Sequence, residues 1–162
     1  MLLLTDLGYC IPAPNPTESA AMFQKIFCPI DGSEPSERGM KEAILLARDQ
    51  RAHLAFLHVV DLSPLIMYGP IVEDFDRFRE AGRELLATAV AAAQVQGVSA
   101  EIRMAEIMTG RPGETIAEEA RKYGADLIVI GTHGRRGLSR ALLGSDAAAV
   151  IGCSAIPLLL VK

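Results

Sequence analysis

Two periodicities alternate along this chain from Lys25 to its last residue, and that alternation restricts the fold more than any other feature. Five short apolar runs, at residues 25–30, 53–60, 100–107, 126–130 and 158–161, have strand length and are rich in Ile, Leu and Val. Longer stretches with apolar residues at helical spacing separate them. In the first, Met40, Ala43, Ile44 and Ala47 share a face, with Ser33 or Ser36 as N-cap and Pro35 in the first turn. The second, at 73–96, places Phe75, Phe78, Gly82, Leu85, Leu86, Ala89 and Ala93 on one stripe. A third runs from Pro112 to Tyr123 and stops at Gly124, a glycine of the kind that ends helices. The fourth starts at Gly144-Ser145 and ends before Pro157. Such β-α-β units with right-handed crossovers predict an α/β fold, with a parallel sheet covered on both faces.

The 162 residues suit one domain with a sizeable core, and half of them are hydrophobic while only 5% are aromatic. A formal net charge of -4 argues against nucleic acid as a partner. No apolar run reaches the length of a membrane span, and Met1-Leu-Leu-Leu4 followed by Thr5-Asp6 makes a poor signal peptide, so the expected compartment is the cytoplasm. Cys10, Cys28 and Cys153 form no metal-ligand or redox spacing, which predicts idle thiols in a reducing environment. Residues 1–24 lack Lys and Arg and carry Pro12, Pro14 and Pro16, so they read as an irregular N-terminal extension to a domain at 25–162, with Met22 as a second candidate start.

The chemistry-bearing pattern lies near the other end. The apolar run Asp126-Leu-Ile-Val-Ile130 passes directly into Gly131-Thr132-His133-Gly134, and Gly144-Ser145 opens a helix soon after. Strand, glycine loop and helix start together supply main-chain N–H groups to an anion. The pattern is neither a Walker A loop, since no Gly-Lys-Ser/Thr follows, nor the Rossmann fingerprint, since the order is Gly-x-x-Gly after the fourth strand. Ligands of open α/β sheets bind outside the carboxyl ends of strands. The glycine loop lies at one such end and Asp31-Gly32-Ser33 at another; the two face one crevice if the first and fourth strands are neighbours.

Four segments together resemble the universal stress protein family in its ATP-binding branch. They are Cys28-Pro-Ile-Asp-Gly-Ser-Glu34, Leu57-His-Val-Val-Asp61, Gly131-Thr-His-Gly134 with Leu143-Gly-Ser145, and Ile156-Pro-Leu-Leu-Leu-Val-Lys162. The resemblance spans residues 25–162. It implies an open five-stranded parallel sheet in order 3-2-1-4-5, Rossmann-like and of the adenine nucleotide alpha hydrolase type, and a homodimer paired through the last strand. It also implies a site. Asp31 would meet the ribose or the adenine side, although an Asx turn at the helix entry is the alternative. Pro29, Ile30 and Val59 would line the adenine pocket, with Ile130 at the strand end. Gly131, Thr132, His133 and Gly134 would bring backbone to ribose and phosphates, and Gly144 and Ser145 would offer N–H groups and a hydroxyl to the distal phosphates. Arg135, with Arg136 and Arg140, would screen phosphate charge or form a solvated basic loop. Asp146 is a first-turn acid or a partner for hydrated Mg²⁺ bridging to phosphate.

No catalytic constellation emerges. His133 has no paired acid in the local sequence, and His53 and His58 read as structural. The leading expectation is a cytoplasmic stress-response protein that binds ATP, or AMP or ADP, as a dimeric binding module or switch. The alternatives are a slow Mg²⁺-dependent ATPase or phosphotransferase using His133, and an interaction protein whose crevice holds AMP, cyclic AMP or no nucleotide. The apolar loop at 62–72 reads as packing back on the domain, as a nucleotide lid or as a subunit contact, and matters most, with the first 24 residues, to the interaction protein.

Overall fold

The computed structural model describes residues 3–4, 10–11, 22–63, 72–132 and 143–162. Two short strands, β1 (Leu3–Leu4) and β2 (Cys10–Ile11), pair antiparallel within the first 24 residues. The main sheet then follows in the order β3 (Lys25–Pro29), α1 (Glu34–Gln50), β4 (His53–Asp61), α2 (Val72–Val95), β5 (Ala100–Ile107), α3 (Pro112–Tyr123), β6 (Leu127–Gly131), α4 (Ser145–Cys153) and β7 (Leu158–Val161).

Its five strands are parallel and lie in the order β5-β4-β3-β6-β7. Counted within the sheet this is 3-2-1-4-5. The chain moves outward from β3 to β5, then returns to β3's other side. With crossovers of one hand, that reversal sends the later helices to the opposite face. The packing agrees: Ile26, Cys28, Leu54, Phe56, Leu127 and Val129 meet Ala43, Ile44 and Ala47 of α1 and Leu86, Ala89 and Ala93 of α2. Phe27, Ala55, Leu57, Ile128 and Ile130 point the other way, onto Ile116 and Ala120 of α3 and Ala147 and Val150 of α4. Strand residues alternate between the two cores, as a period of two requires.

Local chemistry fixes the ends of these elements. Ser33 caps α1 from extended backbone, its hydroxyl accepting from Ser36 N–H at 3.4 Å, and Pro35 occupies the first turn. Gly124, at φ 74°, ends α3 as expected. The entry to β3 is fastened by side chains. Asp126 accepts from the N–H groups of Gln24 (2.7 Å) and Lys25 (3.0 Å), and Gln50 accepts from Phe23 N–H (2.8 Å). Between α2 and β5, Arg79 donates twice to Glu106, from Nε and Nη2 at 2.8 Å each.

Small departures from the periodicity have clear causes. β3 ends at Pro29 and β6 extends to Gly131, each one residue from expectation. On α2, Gly82, Leu86, Ala89 and Ala93 are buried, but Phe78 is 42% exposed at the margin of the stripe. Burial accounts for Cys28, whose thiol it pushes well above the ordinary value, and Cys153 is an exposed thiol. Among the described residues no helix is long and apolar enough to cross a membrane.

Candidate functional site

The strand order reverses between β3 and β6, so the carboxyl ends of these neighbours open the crevice that such sheets use for ligands. Ser36 is the hinge of the geometry there. Its hydroxyl accepts from Asp31 N–H at 3.0 Å. Its own nitrogen lies 2.9 Å from where a Cβ on Gly131 would stand. The segments after β3 and β6 therefore meet on one side of the molecule. On the other flank, the β3–β4 register pairs Pro29 with Leu57, and Ile30 N–H follows it by donating to Leu57 O at 2.8 Å.

Asp31 closes an Asx turn into α1. Its Oδ1 accepts from Ser33 N–H (2.9 Å) and Ser33 Oγ (2.6 Å). Gly32 takes the left-handed conformation this tight turn needs, with φ 78°. Pro29 and Ile30 are buried and Val59 half-buried. Ile30 continues the ladder, donating its N–H to Leu57 O at 2.8 Å, while its carbonyl accepts from His58 Nδ1 at 2.8 Å.

Two glycines prove to be occupied by the fold. A Cβ on Gly131 would approach the Pro35 carbonyl carbon and oxygen to 2.7 Å, so α1 starts directly against the end of β6. A side chain at Gly131 would therefore meet backbone of α1. Gly144 N–H donates to Thr132 O at 2.7 Å, which ties together the two ends of the loop between them. In this structure that N–H is given to the chain itself. Thr132 is buried, and its own N–H donates to Val161 O of β7 at 2.8 Å.

What remains at this rim is the start of α4. Gly144 caps it in extended conformation with no side-chain bond, and the first intrahelical bond is Ala148 N–H to Gly144 O at 2.9 Å. The N–H groups of Ser145, Asp146 and Ala147 precede that bond and have no partner within the helix. α3 locks this turn in place, since a Cβ on Gly113 would stand 2.5 Å from Asp146 O. Ser145 Oγ lies 3.5 Å from Asp146 Oδ1. Among the described residues no three His, Cys, Asp or Glu side chains converge as a metal site. His133, Gly134, Arg135, Arg136 and Arg140 lie outside the described residues, as do residues 64–71 of the apolar loop; Leu62 at its start is buried, its N–H donated to Ile107 O at 2.8 Å.

Sequence reasoning missed two things here. His58's bond to the Ile30 carbonyl had no signal beyond the Leu57-His-Val-Val-Asp61 motif itself. The Gly131 contact joins residues distant in the chain, and only the paired glycines, Gly39 on α1 and Gly131, hint at it: a Cβ on Gly39 would stand 3.2 Å from Gly131 N.

A doubly wound α/β domain whose strand order reverses between β3 and β6, with an Asx turn at the end of the first of these, defines the class of open-sheet crevice proteins. Residues 22–162 match the model of the universal stress protein family, and the chain belongs to that family. It is 38% identical to universal stress protein MJ0531 of Methanocaldococcus jannaschii over 165 aligned positions, covering all of this chain and 95% of that one. Identity to universal stress protein YxiE of Bacillus subtilis is 36%, over 87% of this chain and all of the relative. Among solved structures, MJ0577 of M. jannaschii superimposes with a TM-score of 0.74 at 28% identity, over 87% and 96% of the two chains. A universal stress protein solved in complex with cAMP gives 0.65 at 27% identity, over 86% and 97%.

Proposed function

We propose that this chain binds an adenine nucleotide in the crevice between the ends of β3 and β6 and acts as a binding module or switch of the stress response. The observation that carries the reading is the start of α4, which Gly144 caps from extended backbone with no side-chain bond and which the bond from Gly144 N–H to Thr132 O ties to the carboxyl end of β6. A helix start of this kind favours phosphate. Asp31 would stand at the ribose or adenine side, with Pro29, Ile30, Val59 and Ile130 as apolar walls. Gly131, Thr132, His133, Gly134 and Arg135 would run along ribose and phosphates, and Ser145 and Asp146 would meet the phosphate end, alone or with Mg²⁺. The ligand is read as ATP, hydrolysed slowly if at all, because no group to activate water is apparent among the described residues. A cytoplasmic homodimer paired through β7 completes the proposal. That strand is the sheet's edge, and Leu159 and Leu160 are each 38% exposed along it. Residues 1–24 are read as an extension to the domain.

A second reading is favoured by one observation. With Gly144 N–H given to Thr132, fewer donors remain for a long polyphosphate, which suits a monophosphate such as AMP or cAMP; a related structure holds cAMP. Mass spectrometry of co-purifying small molecules, followed by calorimetric titration with ATP, ADP, AMP and cAMP, separates the two. Affinity rising at least about tenfold from AMP to ATP supports a phosphate-driven site, and equal affinities support the second reading. No binding of any of the four would reject both.

A further inference from the structure

His58 projects from β4 into the face covered by α1 and α2, and it is only 8% exposed. Its Nδ1 lies 2.8 Å from Ile30 O; because a carbonyl only accepts, the imidazole carries its proton on Nδ1 and donates it. Ile30 is the last residue before Asp31, so the bonded carbonyl belongs to the peptide that enters the Asx turn. The paired register of β3 and β4 ends at Pro29 and Leu57, and a side chain takes up the next carbonyl. From α2, Gly82 leaves the room this ring needs. A Cβ there would stand 2.7 Å from His58 Cδ2, 3.4 Å from its Nε2 and 3.4 Å from Met104 Sδ. A glycine inside a long helix is otherwise unfavourable, and here its missing side chain is filled by the imidazole.

We propose that His58 is a positioning residue of the nucleotide crevice: by holding the Ile30–Asp31 peptide it sets the orientation of Asp31 toward the ligand, and Gly82 is the gap that admits its ring. The inference rests on the adenine-nucleotide reading above. It differs from a plain core role in its direction of action. A packing residue would be replaceable by any apolar group of similar size, whereas a peptide strut needs a donor at the position of Nδ1.

The test uses the full chain with His58→Leu, which fills space without a donor, and His58→Asn, whose amide places a donor near Nδ1. AMP affinity is read by calorimetry, and the backbone amide resonances of Asp31 and Gly32 are read by NMR in the unliganded protein. Loss of one directed hydrogen bond should weaken AMP binding about tenfold in His58→Leu, with recovery to within about threefold of wild type in His58→Asn. The two amide resonances should shift in the leucine variant and return in the asparagine variant. Should His58→Leu not fold, Gly82→Ala carries the test, because it keeps the imidazole and displaces the ring; about fivefold weaker binding is expected. Wild-type affinity in His58→Leu or Gly82→Ala, or an asparagine variant no better than leucine, would overturn the inference alone. A wild-type chain that binds none of ATP, ADP, AMP and cAMP would overturn the nucleotide reading and this inference with it.

Discussion

Replacing Ser145 with proline removes the first backbone donor of α4, one that has no partner within the helix. Ser145 is the first residue of α4, where proline is favoured because the N–H it removes has no partner in the helix. The preceding residue, Gly144, already has the extended backbone that proline demands, at φ -61° and ψ 151°. The bond from Gly144 N–H to Thr132 O stays in place. Stability in urea should therefore remain within about 0.5 kcal/mol of wild type. A hydrogen bond to a charged group contributes about 1.5–3 kcal/mol, so a phosphate seated on this turn should bind roughly 10- to 150-fold more weakly. Ser145→Ala, which keeps the N–H, separates the hydroxyl's share. Calorimetric titration with ATP reads both variants. An ATP affinity equal to wild type in Ser145→Pro, with the fold intact, would refute the claim that α4 holds phosphate.

Three further outcomes follow from the packing and the charges. Gly131→Ala should lower stability by about 1–3 kcal/mol in urea denaturation, because its methyl meets the Pro35 carbonyl at 2.7 Å, and wild-type stability would remove the contact between α1 and β6 from the account. Arg79 hydrogen bonds hold the Glu106 carboxyl below its ordinary value of 4.5, so the folded state favours the carboxylate. That contribution is complete above pH 4.5 and fades as pH falls through the lower folded value; Glu106→Gln should be destabilised at pH 7 and converge on wild type in acid, whereas a pH-independent gap would contradict it. In a Cys10→Ser background, a thiol reagent should label Cys153 at once and Cys28 only on unfolding, and prompt labelling of two thiols would contradict the burial of Cys28.

Hydrophobic period is a local property of sequence, and so the elements of the main sheet were legible almost to the residue. β5, α3 and β7 fall on the expected bounds. Strand order is not local. The alternation of patterns required a parallel sheet but left the neighbours of β3 open, and the order came from the resemblance to a family. Phe78 shows the same limit at smaller scale: its spacing places it on the stripe, while its exposure depends on how far the sheet extends beneath α2.

The glycine motif was visible in the sequence, but the work its glycines do was not, because a missing side chain reports that space is needed without saying what fills it. At Gly131 the space is taken by the start of α1, and at Gly144 the N–H closes the loop onto Thr132. Packing thereby requires Gly131 whether or not a ligand ever enters, while the Gly144 bond is one that any residue but proline can make, so neither alone can distinguish a binding protein from one that has kept only the fold. The distinction passes to other groups at the same rim. The start of α4 is the place to look, because Gly144 caps it with no side-chain bond and a helix start favours an anion. On the proposed reading, phosphate is therefore to be sought one residue beyond the motif's last glycine, and Ser145→Pro is the variant that tests it there.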